Sequence, residues 1–329
     1  VPVERVPVDD PDDPRIAEFV GLRERALRQG LRPADPRQPL PARPTGPPSD
    51  APSGPPQPEP AAPPAPQAPP APTPPSAPGP RPRAAGVGVF VAEGDIVVQR
   101  AMEAGYQLRS LLVDATRRAP LPVPVTRVAE AAGGVRLFAA SPAVLQRITG
   151  LGVHRGILGS FDRRPPRPAS ELLADPAIRR VVVLERVSNP TNLGVILRSA
   201  RALGIDAALL DPTCTDPLYR RVARVAMGEG YAFPWAVLPR LPGGLDPVRS
   251  AGFRLVALTP DPEATPIDAL APGPDDRVAL LLGAEGPGLS AGTMETADVR
   301  AGIPMRAGVD SLNVGVAAGI AFWELGRHK

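Results

Sequence analysis

The chain of 329 residues is poor in cysteine, histidine, lysine and aromatic side chains, and each shortage closes off a class of function. One cysteine, Cys214, rules out an intramolecular disulfide framework and a cysteine-based zinc site. The only histidines, His154 and His328, lie far apart, and neither sits in a context that suits a Ser-His-Asp or Cys-His enzyme. No metal site is expected. Aromatic residues make up only 4%, so the cores must be built from Val, Leu, Ile and Ala. No run approaches the roughly 18 apolar residues that span a bilayer, so no membrane partner is expected. Residues 1–14 are acidic and contain proline, the opposite of a signal peptide, which makes the cytoplasm the expected location.

Of the 37 basic residues only Lys329 is a lysine, and the net charge is +3. Arginine presents a planar fork of donors suited to phosphate, so the bias is compatible with RNA binding. A coding bias toward Ala, Arg, Pro and Gly would produce the same arginines on inert surfaces. The charge permits a nucleic-acid partner and does not prove one.

Proline, by contrast, is abundant. Residues 33–83 hold 23 of the 49 prolines, a single leucine (Leu40) and no aromatic or β-branched apolar residue. Such a segment cannot bury enough surface to offset its ordering entropy and reads as a disordered or polyproline-like insertion. Removing it joins two pieces into a small α/β domain, residues 1–32 and 84–159. The spacing predicts a helix opening at Asp12 with Ile16, Phe19, Val20, Leu22, Arg23 and Leu27. After the insertion come a strand at 87–92, a helix at 95–104, strands at 111–113, 123–125 and 135–139, and a helix at 142–148. Residues 160–172 read as a basic, Pro-broken linker.

In residues 173–329, continuous apolar strands alternate with helices. Strands are expected at 181–184, 207–210, 236–238, 255–258, 278–282 and 299–303. Helices are expected near 193–203, 217–227, 247–250 and 311–325. This is the pattern of a parallel sheet covered on both faces. Polar, conformationally special residues follow three of the apolar runs, where a parallel sheet presents chemistry. They are Asn189-Pro190-Thr191-Asn192-Leu193-Gly194 running to Arg198, Leu282-Gly283-Ala284-Glu285-Gly286-Pro287-Gly288-Leu289, and Ile303-Pro304-Met305 running to Ser311-Leu312-Asn313. Asn192 favours a turn or cap, Gly194 permits close backbone approach, and Ser311 is placed to cap the final helix. The glycine loop has neither the G-x-G-x-x-G spacing nor a phosphate-binding lysine, which disfavours a dinucleotide enzyme. Backbone groups around one carboxylate, Glu285, suit a cationic ligand. The small residues Gly315, Ala317, Ala318, Gly319 and Ala321 allow the final helix to pack closely against the rest of its domain or a partner subunit.

In this order, the three blocks resemble the signature motifs of the SpoU/TrmH RNA 2'-O-ribose methyltransferases, which belong to the SPOUT superfamily. The segment Val89-Phe90-Val91-Ala92-Glu93-Gly94, followed by an amphipathic helix, resembles the L30e-like substrate-binding domain common in that family. The resemblance implies a C-terminal α/β trefoil knot, S-adenosylmethionine as cofactor, a tRNA or rRNA partner and a homodimer. It implies a cofactor pocket from Leu258, Thr259 and Pro260, from Gly283, Ala284, Glu285, Gly286, Gly288 and Leu289, and from Ile303, Pro304, Met305, Ser311, Leu312 and Asn313. Asn192, Arg198, Glu285, Ser311 and Asn313 match its functional polar positions. A guanidinium is almost always protonated, so Arg198 is expected to clamp and polarise the ribose hydroxyl rather than act alone as a base. Arg198, Arg220, Arg221 and Arg224 are candidate RNA contacts, although a helix face of arginines can equally be a solvated surface. Ala226 stands where the family usually carries serine. A catalytically inactive knotted RNA-binding protein is the alternative reading.

Overall fold

The computed structural model describes residues 5–20, 88–130, 135–149, 156–306 and 308–326. The Pro-rich insertion at 33–83, Leu22, Arg23 and Leu27 of the expected first helix, and His154 lie outside the described residues.

The N-terminal part is a five-stranded mixed sheet in the order β1-β4-β3-β5-β2. Its strands are β1 (Arg5–Val8), β2 (Val89–Glu93), β3 (Leu108–Asp114), β4 (Arg136–Ala140) and β5 (Ile157–Asp162). Strand β1 was not expected. It adds to the edge in parallel with β4, where Pro7 is tolerated and Val8 is buried. The expected helix from Asp12 begins instead as a 3-10 turn, Pro14–Ile16, with Asp13 accepting from the backbone N–H of Arg15 at 2.8 Å. Ile16 and Phe19 do enter the core.

Two further expectations are corrected here. Residues 123–125 are not a strand but the start of helix α2 (Val123–Glu130), which follows α1 (Asp95–Glu103). Pro124 has no N–H to give a ladder, whereas in the first turn of a helix that donor has no partner to lose. Residues 160–162 are not linker. They end β5, which runs antiparallel to both β2 and β3 and is buried along most of its length. Its Gly and Ser residues mask the strand in sequence. At Gly159 an added Cβ would lie 2.8 Å from the ring of Phe161. Helix α3 (Pro142–Thr149) lies as expected.

The C-terminal part is a seven-stranded, all-parallel sheet in the order β10-β12-β9-β11-β6-β7-β8. Its strands are β6 (Arg180–Leu184), β7 (Ala207–Leu210), β8 (Trp235–Val237), β9 (Arg254–Leu258), β10 (Thr265–Pro266), β11 (Val278–Leu282) and β12 (Val299–Gly302). The helices are α4 (Ala169–Ala174), α5 (Pro190–Ala202), α6 (Arg220–Val225), α7 (Asp246–Ser250), α8 (Ala291–Thr296) and α9 (Val314–Gly326).

Alternation along the strands divides the core. Val182, Leu184, Leu280 and Leu282 face Leu193, Ile196 and Leu197 of α5 and Ala318, Ala321 and Phe322 of α9. Val181, Val183, Ala279 and Leu281 pack on the other side with Leu172 of α4 and Val248 of α7. Small residues set how closely the helices approach. A Cβ on Gly194 would meet Val225 of α6 at 2.7 Å, and one on Gly315 would meet Val195 of α5 at 2.9 Å. Of the small residues of the last helix, Gly315, Ala318 and Ala321 therefore pack within their own chain, whereas a Cβ on Gly319 would meet nothing within 4 Å.

The two sheets belong to one compact unit. Phe90, Tyr106, Phe161 and Tyr231 form a ring cluster between them. Buried Glu93 pairs with Arg220 at 3.5 Å and Arg224 at 3.6 Å, and Arg163 pairs with Asp216 at 2.5 Å. Among the described residues no helix is long and apolar enough to cross a membrane.

Candidate functional site

Strand register places the site. Leu184 of β6 is level with Leu282 of β11, and Leu258 of β9 with Ala301 of β12. The chain thus leaves four strands at one edge, and the three polar blocks converge there.

Asn192 is not a turn or cap residue. Asn189 caps α5, accepting from the N–H of Thr191 at 2.9 Å, and Asn192 lies in the first turn beyond it with its side chain buried. Its Nδ2 donates to Glu285 Oε2 at 3.0 Å, and its Oδ1 accepts from Asn313 Nδ2, also at 3.0 Å. Asn313 Nδ2 also lies 3.3 Å from Glu285 Oε1. The result is a closed triangle of two amides and a carboxylate joining α5, the loop after β11 and the start of α9.

Ser311 does not cap the last helix. Asn313 does, accepting from the Gly315 N–H at 2.9 Å through Oδ1, while its own carbonyl accepts from Ala317. The helix begins at Val314 because Asn313 has the side chain that satisfies the first free N–H groups. Ser311 is left exposed on the loop before it.

The glycine loop closes on itself. Ala284 bridges to Gly288, whose N–H reaches the Ala284 carbonyl at 2.9 Å. At Gly283 a Cβ would lie 2.1 Å from the Gly288 carbonyl carbon, so only glycine fits. Gly286 and Gly288 have φ of 86° and 65°, in the left-handed region, with open space around them.

Beside this loop lies a cavity of about 260 Å³. It is lined by Leu258, Thr259, Pro260, Leu282, Gly283, Ala284, Glu285, Gly286, Gly288, Ile303, Met305, Ser311, Leu312, Asn313, Val314 and Ala317. Of the positions expected to line it, Leu289 and Pro304 do not; Leu282, Val314 and Ala317 are additional. The last two were hidden because they belong to a helix that reads as core. Among the described residues no cluster of three or more His, Cys, Asp or Glu could hold a metal.

Arg198 stands apart. It lies about 120° around α5 from Asn192, on the outer face, and its side chain is exposed. Among the described residues no hydrogen bond or ion pair links it to the triangle. Arg221 is exposed; Arg220 and Arg224 hold Glu93, as described above.

Two residues that the motifs did not flag also touch the loop. Glu185, buried directly after β6, accepts from the Ser290 N–H at 2.9 Å, and Arg186 donates to the Gly288 carbonyl at 3.1 Å. The available signal was position alone: a charged pair at the exit of an apolar strand. Cys214 donates to the Leu184 carbonyl at 3.3 Å, and burial pushes its thiol up to about 12.

Residues 179–323 match the model of the SpoU rRNA Methylase family. An uncharacterised tRNA/rRNA methyltransferase of Mycobacterium tuberculosis is 39% identical over 243 residues, 74% of this chain and 82% of that protein. A 23S rRNA (guanosine-2'-O-)-methyltransferase of Ralstonia nicotianae is 30% identical over 237 residues, 71% of this chain and 93% of its own length. The crystal structure of an AdoMet-bound rRNA methyltransferase from Sinorhizobium meliloti superposes with a TM-score of 0.61 at 28% identity, covering 73% of this chain and 87% of that one. With motif blocks that converge at one edge of a parallel sheet and relatives that span both sheets, this chain belongs to the SpoU rRNA methylase family.

Proposed function

We propose that this chain is an S-adenosylmethionine-dependent RNA methyltransferase that methylates a ribose 2'-hydroxyl of tRNA or ribosomal RNA in the cytoplasm. The observation that carries the reading is the Asn192–Glu285–Asn313 triangle, built from three separate segments beside a cavity at the strand ends.

The residues present fit the cofactor. The cavity is close to the roughly 300 Å³ at the small end of ligand sites. Its wall is a backbone-rich loop that tolerates no side chain at Gly283, flanked by Leu258, Ile303 and Met305, with one carboxylate at its edge. Leu258–Pro260, Gly283–Gly286, Gly288, Ile303, Met305 and Ser311–Asn313 would hold it, and when bound it supplies an electrophilic methyl group on a cationic sulfur. Glu285, fixed by two amide donors at the edge of the cavity, would offer that cation a carboxylate. Asn313 ties the carboxylate to the start of α9, so the second and third blocks hold one geometry.

Arg198 brings its guanidinium to the ribose. There it stabilises the oxygen as the hydroxyl proton leaves for a phosphate oxygen of the bound RNA. Its separation from the triangle within one chain supports a site completed by a second copy. A homodimer through α9 accounts for Val316, Ile320 and Trp323, which lie exposed along one face of that helix. We assign a trefoil knot to the segment from Gly283 to the end of α9, supported by the return of the chain from β12 to pack on α5. The mixed sheet is assigned as the L30e-like substrate-binding domain. Arg221 and the exposed part of Arg224 extend the RNA-facing charge of Arg198, while Arg220 secures the junction through Glu93.

The test uses purified full-length chain, methyl-labelled S-adenosylmethionine and RNA from cells lacking the gene. Label at a single nucleotide, with the adjoining phosphodiester resistant to alkali, is expected. Label on a base, or none, overturns the proposal.

A further inference from the structure

Arg186 is a non-glycine residue in the left-handed region, with φ of 57°. An L-residue is strained there, whereas glycine would adopt the conformation freely. It lies two residues past the end of β6, where the chain turns toward α5. The turned backbone carries the guanidinium across to the glycine loop, where Nη2 donates to the Gly288 carbonyl at 3.1 Å. The preceding Glu185 holds the same loop two residues on, through the Ser290 N–H at 2.9 Å, and stands 3.9 Å from Arg186 Nε.

The loop is therefore fixed at both sides. Glu285 is held by Asn192 and Asn313, and the Gly288–Ser290 end by Arg186 and Glu185. Gly286, between these anchors, has no side chain to pack, so beyond the Ala284–Gly288 backbone bridge the shape of the loop depends on the anchors.

We propose that Arg186 is a positioning residue that holds the glycine loop in its ligand-binding shape through the Gly288 carbonyl, at the expense of local backbone strain. The proposal rests on the reading of this loop as part of the S-adenosylmethionine site. It predicts that the arginine matters for cofactor affinity and not for folding, RNA affinity or the chemical step.

Two variants separate the clamp from the strain. Arg186→Gly relieves the backbone and removes the donor; Arg186→Met removes the donor and keeps the strain. Calorimetric titration with S-adenosylmethionine should show both weakened by about three- to tenfold, the loss expected for one charge-assisted hydrogen bond. The melting temperature of Arg186→Gly should equal or exceed that of the parent. In turnover, KM for the cofactor should rise while kcat at saturation and KM for RNA stay within about twofold. Arg186→Lys should recover part of the affinity. Unchanged affinity in both variants, or a loss in Arg186→Met alone, overturns the proposal. If the parent chain itself fails to bind S-adenosylmethionine, the reading of the site fails instead.

Discussion

Replacing Asn192 by Asp tests the triangle most directly, because it changes one buried atom and leaves the shape intact. The Nδ2 that donates to Glu285 at 3.0 Å becomes an oxygen facing another carboxylate. Two like charges about 4 Å apart at an effective dielectric of about 20 repel by about 4 kcal/mol. Loss of the charge-assisted hydrogen bond adds about 1.5–3 kcal/mol. Exposure of Glu285 lets water and local opening relieve part of this, so about 3–4 kcal/mol is the expected penalty at pH 8. The sign of its pH dependence follows from the repulsion. A carboxyl pair that shares a proton has its folded pKa raised above the unfolded value, so the shared-proton state is favoured at low pH and lost as pH rises through the raised pKa. Asn192→Asp should therefore approach the parent in melting temperature and cofactor affinity near pH 5 and fall away from it toward pH 8. Asn192→Ala, which adds no charge, should differ from the parent by a constant amount across that range. Parallel pH curves for the two variants would refute the geometry proposed for the triangle.

Arg198→Ala should lower turnover on the true RNA by at least about a hundredfold while cofactor affinity stays within twofold, since the side chain is exposed and, among the described residues, no hydrogen bond or ion pair links it to the triangle. Equal turnover, measured by methyl incorporation, would remove its assigned role. Trp323, 56% exposed on α9, should tolerate Glu without loss of fold. Light scattering should show the parent as a dimer and Trp323→Glu as a monomer; a monomeric parent, or an unchanged mass in the variant, would overturn the proposed interface on α9. Cys214, held near 12 by burial, should react with iodoacetamide at pH 8 about a hundredfold or more slower in the native than in the unfolded chain. The shift also contributes stability that is complete below the unfolded value near 9 and is lost as pH rises through 12.

Much of this protein was legible in the chain itself. The buried parallel strands read as apolar runs because both of their faces are covered, and Val181 to Leu184 and Val278 to Leu282 show this without ambiguity. The polar blocks stood out because each follows such a run. Strand β5 did not, since a strand paired on both sides can use Gly159 and Ser160 where packing requires small residues. Nor did the helix at 123–130, whose Pro124 fits its first turn.

Local sequence determined most of the elements, for these depend on neighbours a few positions away; which glycines admit no side chain was decided partly by distant packing, as at Gly194 against Val225 and Gly315 against Val195. The tertiary structure decided what those residues do. Asn192 meets a carboxylate 93 positions away, Asn313 rather than Ser311 caps the last helix, and Arg220 faces Glu93 across the junction of two sheets. Arg186 reaches the Gly288 carbonyl only because β6 and β11 end level with each other. Such partnerships depend on strand order and register, which bring distant segments within about 3 Å, and no local pattern in the chain encodes that distance.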